Sequence, residues 1–343
     1  MHVIAQGEEP RWIIIGKPSS ALPVLRSWAP WKTTSRVSWK AVQMTAGMNV
    51  LPMMPGVRNS VVPVDTSYWR TSMQCFPGDW SAVIHVGNPS HTRKAILFLI
   101  ESGKRVMCAA KVPLTRESWG AILNEAEMLD ELRRFDYLPR VLFQDRARGI
   151  VAQSWLDGKP VSRGFNDAHL ELLNSLVSGG GVARVCDYRA ELASGIERSD
   201  LPFDRSVLAR GMDLLDCDLP LRHFIEHRDF AAWNLKWIRQ GVLGLLDWEW
   251  ALADGLPWQD ACRYFYLDDA HFGGSGRVWN ALTSSKVLLR YRRQFDIPPE
   301  ALPALTMRYL LRELLMEWEG GNAWLAEYAY KQIRSLLDSH TYS

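Results

Sequence analysis

The chain has 343 residues, 47% hydrophobic and 23% charged, which is the composition of an ordinary folded protein and enough length for more than one packed unit. The formal net charge of +2, without a long basic run, gives no reason to expect nucleic acid as a partner. The cysteines form no CxxC pair or Cys/His cluster that would indicate zinc, so we expect inert thiols in a reducing compartment; they are Cys75, Cys108, Cys186, Cys217 and Cys262.

The first residues do not follow the pattern of a secretion signal, because an acidic pair, Glu8 and Glu9, stands where a basic region and an apolar core would be needed. The longest apolar runs, such as residues 95–100, are far shorter than the ~20 residues that cross a bilayer. We therefore expect a cytoplasmic protein without a membrane span. The sequence leaves the oligomeric state open.

Residues 1–70 contain no recognisable chemistry. Residues 12–15 predict a strand, and residues 35–48 predict a helix with Ser35 as its N-cap. The segment is too apolar for a free tail, so we expect an extension that packs on the domain after it, with a partner-binding arm as the alternative. The residues that carry this expectation are Trp12, Ile13, Ile14, Ile15, Trp28, Trp31 and Trp39.

A regular pattern begins at Ser81. Residues 81–87, 94–102 and 105–112 are apolar or β-branched runs separated by short turns, which predicts three antiparallel strands. Residues 115–135 repeat apolar residues at helical spacing, with Thr115 as the predicted cap. Two further strand patterns follow before residue 157, so the predicted order is β-β-β-α-β-β.

The remaining sequence is mostly helical in pattern, and residues 307–318 are the clearest helix. Gly179-Gly180-Gly181 lacks the following Lys-Ser/Thr of a phosphate-binding loop and is interpreted as a flexible turn. Strand patterns return only at residues 235–238 and 242–246, joined by a hairpin turn.

Three polar residues next to that hairpin match the needs of phosphoryl transfer from ATP. Magnesium prefers hard oxygen ligands, which Asp247 and the amide of Asn234 can supply. The acceptor hydroxyl needs a carboxylate that orients it and takes its proton, and Asp229 can do so. The hairpin is expected to bring Asn234 and Asp247 to adjacent strand ends.

This arrangement resembles the catalytic core of the aminoglycoside phosphotransferase and choline kinase family, whose members share the protein-kinase-like fold. The resemblance is carried by His227-x-Asp229-x-x-x-x-Asn234 followed by Leu246-Asp247-Trp248-Glu249. His-Arg-Asp is also the protein-kinase spelling, but Asp-Trp-Glu replaces Asp-Phe-Gly and no Ala-Pro-Glu sequence follows. The small-molecule branch of the fold is therefore favoured.

The resemblance implies an α+β, bilobal protein-kinase-like fold, in which an antiparallel-sheet N-lobe carries one αC-like helix and the C-lobe is mostly helical. It implies an N-lobe at residues 71–156 and a C-lobe with the catalytic loop and acceptor pocket at residues 157–343. The implied cofactors are ATP and Mg²⁺, and the implied partner is a small-molecule acceptor.

The resemblance also implies a nucleotide site upstream. Lys111 is expected to hold the α- and β-phosphates, oriented by Glu125 on the predicted helix and not by Glu127, which points away from the apolar face. The loop at residues 87–92 is expected to lie over the phosphates. Its Ser90 and Thr92 are candidate donors, although it has a single glycine. Residues 153–156, with Gln153 and Trp155, are the expected hinge that binds adenine through the backbone.

Three residues around the core motif are implied to have supporting roles, and a fourth departs from the family. Glu249 is a candidate magnesium ligand or a cap of the next segment. Asp260 is implied to be a structural acid that accepts hydrogen bonds from the catalytic-loop backbone, and His227 is implied to support the same loop. Arg228 departs from the family, which usually has glycine at this position.

The acceptor is the least defined part of the prediction. One set of residues could meet the ammonium groups of an aminoglycoside: Asp213, Asp216, Asp218, Asp268 and Asp269. Another could form aromatic walls for a choline-like cation: Trp248, Trp250, Trp258, Tyr264 and Tyr266. The aromatic set favours a sugar or an amino alcohol. Two alternatives stay open: a catalytically weak kinase-like protein that binds nucleotide or a protein partner, and an enzyme of this fold that modifies protein or transfers AMP.

Overall fold

The computed structural model describes residues 1–6, 9–28, 33–59, 80–101, 103–273 and 276–341. Trp31, Cys75 and the expected boundary between residues 70 and 71 lie outside these ranges. The chain divides into two compact units. The first unit comprises Met1–Pro160, Lys236–Gln240 and Gly244–Glu249, and the second comprises Val161–Leu235, Gly241–Leu243 and Trp250–Ser343.

The first unit is built on an eight-stranded sheet in the order β3-β1-β2-β4-β5-β6-β8-β7, in which all paired neighbours are antiparallel. The strands are β1 (His2–Gln6), β2 (Glu9–Ile15), β3 (Val57–Asn59), β4 (Trp80–Val86), β5 (Lys94–Glu101), β6 (Arg105–Pro113), β7 (Val141–Asp145) and β8 (Ile150–Ser154). Its helices are α1 (Leu22–Ser27), α2 (Thr33–Gly47) and α3 (Arg116–Glu131).

The predicted order β-β-β-α-β-β is present from β4 to β8. Thr115 caps α3 as expected, because its hydroxyl accepts from the Ser118 amide and the Ser118 hydroxyl accepts from the Thr115 amide, both at 3.2 Å. The apolar side of α3 packs through Ile122 and Ala126 against Val151 of β8. This packing fixes α3 over the strands that carry the candidate nucleotide residues.

The described residues up to Asn59 contribute the strands β1, β2 and β3 and the helices α1 and α2 to this unit. Trp12 and Ile14 of β2 are buried in one cluster with Leu25 of α1 and Trp39 of α2. The indole nitrogen of Trp39 donates to the carbonyl of Leu25 at 3.0 Å, so the ring is held by a polar contact as well as by packing. The helix α2 begins at Thr33, so the prediction of Ser35 as its N-cap is wrong.

A small sheet in the order β13-β12-β9 follows; its strands are β9 (Lys159–Pro160), β12 (Leu235–Arg239) and β13 (Val242–Leu245). The second unit has an antiparallel sheet in the order β10-β11-β14; its strands are β10 (Val177–Ala183), β11 (Leu221–Glu226) and β14 (Leu252–Gly255). Its helices are α4 (Asp167–Ser175), α5 (Arg189–Arg198), α6 (Arg205–Asp213), α7 (Gln259–Phe272), α8 (Val278–Ser284), α9 (Lys286–Gln294), α10 (Leu302–Glu319) and α11 (Ala323–Thr341).

The second sheet corrects two predictions. Gly179-Gly180-Gly181 lies within the bounds of β10 and not in a turn between elements; Val177 and Val182 on either side pair with β11, and the register shifts between them, where the glycines lie. Strand structure is also not confined to the hairpin after residue 234, since β10, β11 and β14 add a whole sheet. In the described ranges, no helix combines the length and the apolar character needed to cross a bilayer.

Candidate active site

A buried ion pair in the first unit joins β6 to α3. The ammonium of Lys111 lies 2.6 Å from Oε2 of Glu125, whose side chain is fully buried. Glu127 instead pairs with Arg146 at the surface. The amide of Trp248 donates to Oε1 of Glu125 at 3.2 Å, so the same carboxylate also fixes the segment that carries Asp247.

Asp247 and Glu249 face two lysines. Lys111 contacts Oδ1 of Asp247, and the ammonium of Lys94, at the start of β5, lies 3.0 Å from the same oxygen. Lys94 also contacts Oε2 of Glu249. The backbone of Asp247 has a φ of 67°, a left-handed conformation that Asp adopts more readily than most residues. The tight bend at Asp247 lets its side chain and that of Glu249 reach one ammonium.

Burial and charge act in opposite directions on this cluster. Burial opposes ionisation of Asp247, but the charges of Lys111 and Lys94 outweigh it and hold its pKa well below the usual range. Burial likewise opposes the charge of Lys111, and Asp247, Glu125 and Glu249 together raise its pKa above the usual value. Burial and the charge of Asp247 raise the pKa of Glu249 to about 7. Asp247 is therefore ionised at neutral pH.

The donor set fits magnesium. Among the described residues, no group of three or more His, Cys, Asp or Glu side chains could hold a metal ion. Magnesium needs no such cage, because one or two carboxylates with water and substrate phosphates satisfy its coordination. The ammonium of Lys94 contacts Asp247 and Glu249 together, which demonstrates that both carboxylates can face one cation.

The expected phosphate loop lies between β4 and β5. The amide of Gly87 donates to the carbonyl of Lys94 at 2.9 Å, and Nε of Arg93 donates to the carbonyl of Gly87 at 3.2 Å, so both ends of the loop are tied together. Ser90 is exposed and Thr92 is half-buried. Their roles toward phosphate stay predictions.

The expected hinge residues lie in and after β8. Gln153 is buried and pairs with Ala109 of β6. Trp155 is half-buried, and the ammonium of Lys236 lies 4.0 Å from its ring centroid. A cation over the ring face holds Trp155 in one orientation. The participation of Gln153 and Trp155 in nucleotide binding stays a prediction.

The second unit contains Asp229 and Asn234. The side-chain amide of Asn234 donates to Oδ2 of Asp229 at 2.8 Å and to its backbone carbonyl at 2.9 Å. Both bonds use Nδ2 of Asn234. Neither involves Oδ1, which is the atom type that binds magnesium. Arg263 of α7 lies 3.0 Å from Oδ1 of Asp229. Both oxygens of the candidate base are therefore held.

The backbone before Asp229 is held by Asp260. Its two carboxylate oxygens accept from the amides of His227 at 2.8 Å and Arg228 at 2.9 Å, as the family resemblance implied. The amide of Asp229 in turn donates to Nδ1 of His227 at 3.3 Å. Arg228 has a φ of 65°, a left-handed conformation that glycine adopts without strain, which gives a physical reason for the glycine expected there.

Three supporting residues escaped the sequence analysis. Arg263 also contacts Glu313 of α10 and so links the candidate base to the helical core. Glu226, one residue before the catalytic loop, accepts from Arg308 at 3.0 Å and from Arg312 at 2.9 Å. Lys94 is the third. Each pairs with a residue far away in sequence, so no local pattern indicates it.

The acceptor residues are not arranged as expected. Trp248, Trp258, Tyr264 and Tyr266 are buried and cannot line an open pocket, whereas Trp250 is partly exposed. The acidic set is divided among separate surface pairs: Arg189 binds Asp213 and Asp216, Arg184 binds Asp218, and Arg163 binds Asp268, while Asp269 accepts from Tyr328. The aromatic argument for a sugar or an amino alcohol therefore loses its original basis.

Another aromatic group lies near the catalytic loop. Trp233, the residue before Asn234, is half-buried, and its ring centroid is 5.7 Å from that of His271. His271 is 5.2 Å from Trp324, whose side chain is 49% exposed. We call Trp233, His271 and Trp324 the aromatic row. The side chains of His271 and Trp324 are exposed, and the row lies in the same unit as Asp229.

The predicted residues thus fall into two groups. Those in the first unit are Ser90, Thr92, Lys111, Glu125, Gln153, Trp155, Asp247 and Glu249, and those in the second are Asp229 and Asn234. The adjacency of Asn234 and Asp247 stays a prediction.

Comparison with known proteins shows which solved structures have a similar fold. No protein-family model and no curated protein matches the chain. Solved structures do match: wild-type aminoglycoside 2'-phosphotransferase-IIIa with GDP is 13% identical, with a TM-score of 0.53 over 81% of this chain and 100% of that chain. A thermostable mutant of aminoglycoside phosphotransferase APH(4)-Ia with AMP-PNP and hygromycin B is 14% identical, with a TM-score of 0.55 over 81% and 99%.

Macrolide 2'-phosphotransferase type I is 15% identical, with a TM-score of 0.54 over 80% of this chain and 99% of that chain. At such identities the likeness concerns the fold alone. The predicted α+β, protein-kinase-like fold is confirmed: an antiparallel sheet with α3 in the first unit and a mostly helical second unit.

Proposed function

We propose that the protein transfers the γ-phosphate of a magnesium-bound nucleoside triphosphate, with ATP as the first candidate, to a hydroxyl group of a small molecule. The observation that carries this proposal is the buried Lys111–Glu125 pair, whose lysine also contacts Asp247. A lysine oriented by a helix carboxylate next to a metal-type aspartate is what triphosphate binding in this fold requires.

Each group has a separate role in the proposed reaction. Lys111 binds the α- and β-phosphates, and Asp247 with Glu249 would hold magnesium, which when bound neutralises charge on the transferring phosphate. Asn234 stays a predicted further ligand. Asp229 orients the acceptor hydroxyl and takes its proton as the hydroxyl oxygen bonds to the γ-phosphorus. The bond from that phosphorus to the bridging oxygen breaks, and the nucleoside diphosphate leaves.

The hydrogen bonds of Asp229 support an orienting role. Arg263 and Asn234 hold its two oxygens, so the carboxylate has a fixed position. A loose phosphoryl-transfer transition state demands little early proton removal, so a well-positioned carboxylate is adequate.

We further propose that the acceptor rests on the aromatic row. The exposed aromatic side chain of Trp324, beside His271, suits a sugar ring or an amino alcohol through stacking or cation–π contact. Because Trp233 lies four residues after Asp229 on the same loop, an acceptor on this row would present a hydroxyl near the candidate base.

The test is a nucleotide-consumption screen with ATP and GTP against sugars, amino alcohols and aminoglycosides, compared with reactions that lack an acceptor. We expect diphosphate release that depends on one acceptor class. Release that no acceptor stimulates, together with no binding of Mg-ADP or Mg-GDP in calorimetry, would contradict the proposed function. Binding without release would instead favour a kinase-like protein that only binds nucleotide.

A further inference from the structure

Lys94 occupies a position fixed by the backbone on both sides. It is the first residue of β5, directly after the loop of residues 87–93, and its carbonyl accepts from the amide of Gly87. On the other side, the amide of Leu114 donates to the carbonyl of Arg93 at 3.1 Å. The start of the side chain therefore cannot shift far, but its four-carbon stem can change rotamer.

Lys94 and Lys111 lie on the same face of the sheet. In the β5–β6 register Lys94 is opposite Pro113, and Ile96 is opposite Lys111, so the two lysines are diagonal neighbours. Both reach Oδ1 of Asp247. Two strands thus direct two ammonium groups to one carboxylate.

The charges in this cluster explain why a second lysine is useful. Lys94 and Lys111 are the cations, and Glu125, Asp247 and Glu249 are the carboxylates. The two ammonium groups leave one carboxylate charge uncompensated when all the groups are ionised. Without Lys94 a second carboxylate charge would be uncompensated, which would repel the phosphates of a nucleotide more strongly.

The structure assigns Lys94 a second phosphate-binding role, and this inference rests on the proposed function. In the structure its ammonium pairs with Asp247 and Glu249. With a magnesium-bound nucleotide in the site, those carboxylates would hold the metal and the ammonium of Lys94 would bind phosphate oxygens. A divalent cation attracts carboxylates more strongly than an ammonium does. The ammonium released from the carboxylates would then pair with the negative charge of the nucleotide phosphates.

The experiment compares Lys94→Met, which keeps side-chain length but removes the charge, with the wild-type protein. Calorimetry with Mg-ADP measures nucleotide binding, and electron paramagnetic resonance with Mn²⁺ alone measures metal binding. We expect Lys94→Met to bind Mg-ADP about 10- to 100-fold more weakly, the size of a lost charged hydrogen bond. We expect it to bind Mn²⁺ alone more tightly, because the carboxylates lose a competing cation.

Lys104→Met is the matched control, because Lys104 is an exposed lysine in the turn between β5 and β6. It should bind both probes as the wild type does. Lys94→Arg should restore part of the Mg-ADP affinity.

If Lys94→Met does not fold, a second comparison replaces it. The double variant Lys94→Met/Glu249→Gln, which removes one charge of each sign, is compared with Glu249→Gln. The double variant should still bind Mg-ADP more weakly than Glu249→Gln alone.

Equal Mg-ADP affinity with and without Lys94 would overturn the inference, as would weaker Mn²⁺ binding by Lys94→Met, which would indicate a purely structural lysine. A wild-type protein that binds neither Mg-ADP nor Mg-GDP would overturn the proposed function and this inference together. The two failures are therefore distinguishable.

Discussion

Asp229 illustrates how one residue is defined by its neighbours. Arg263 and Asn234 hold its two carboxylate oxygens, and Asp260 holds the backbone just before it. The side chain has little rotational freedom left, so its position is set before an acceptor arrives. Such preorganisation favours the reactive geometry between Asp229 and an acceptor hydroxyl.

Asp229→Asn tests the base assignment, because asparagine keeps the size of the side chain but cannot accept a proton. We expect the rate of phosphate transfer to fall about 10²- to 10⁴-fold. The affinity for Mg-ADP should stay within a factor of a few. Steady-state kinetics and calorimetry measure the two quantities, and a wild-type transfer rate would remove Asp229 from the mechanism.

Asp247→Asn tests the metal assignment without disturbing the backbone, since asparagine tolerates the left-handed φ of 67°. We expect the affinity for Mg-ADP to fall at least about 10-fold, because magnesium loses its charged ligand. Binding of ADP without magnesium should change much less. Glu127→Gln, at an exposed acid on α3, is the control. An unchanged magnesium dependence would move the metal site elsewhere.

At the scale of elements, the edge of the second sheet depends on Gly255 of β14. A Cβ at this position would lie 2.2 Å from Cγ of Glu226, which cannot yield because Arg308 and Arg312 hold its carboxylate. We expect Gly255→Ala to lower the free energy of unfolding by about 3 kcal/mol, as measured by urea denaturation.

Gly120→Ala provides the comparison for Gly255→Ala. Gly120 lies in α3, and no atom from outside its own helical turn lies within 4 Å of the place that an alanine methyl would take. Alanine should therefore be neutral there or stabilise the protein by up to about 1 kcal/mol. Equal stability of the two variants would show that Glu226 relaxes easily.

The start of α4 should make the protein sensitive to acid. Burial lowers the pKa of His169 to about 4, while an unfolded histidine titrates near pH 6.5. The unfolded state therefore binds the proton first. Stability should be fully present above about pH 6.5 and should fall by at most about 1.4 kcal/mol per unit between there and pH 4.

His169→Gln, which cannot titrate in this range, tests the acid effect. Its unfolding free energy should depend less on pH between 6.5 and 4. Part of the dependence should remain, because burial lowers the pKa of His85 to about 4 as well. Identical pH profiles for the variant and the wild type would contradict the role of His169.

Some strands and helices could be predicted from the sequence and others could not. The strands β4 to β6 and the helix α3 were predictable because their apolar residues repeat at the strand and helix periods. The strands β10 and β11 were not, since the first is rich in glycine and the second carries Glu226, a buried charge that breaks the apolar pattern. Lys94 could not be found either, because its partner Asp247 is 153 residues away.

At the scale of the whole molecule, the chain passes from the first unit into the second and then returns to the first. The first unit needs Lys236–Gln240 and Gly244–Glu249 in addition to Met1–Pro160. The returning segments supply Asp247 and Glu249, the counter-charges of Lys94 and Lys111. Neither unit is therefore a contiguous piece of sequence.

A fragment of residues 1–160 should consequently be much less stable than the intact protein. Lys111 would keep only Glu125, and Lys94 would lose both of its carboxylates. We expect poorly dispersed amide resonances in NMR spectra of this fragment. Addition of a peptide of residues 235–250 should improve the dispersion. A fragment that is fully folded by itself would show that the returning segments are dispensable for the fold.

The return of the chain also sets an order of events on the ribosome. The residues that complete the first unit are translated only after all of residues 161–235, which belong to the second unit, have been made. The first sheet is synthesised before Asp247 and Glu249, the counter-charges of its lysines. The nascent chain therefore exposes an incomplete first unit for much of its synthesis. A premature stop codon anywhere before position 249 removes part of both units, and the truncated product should be a substrate for cellular proteases.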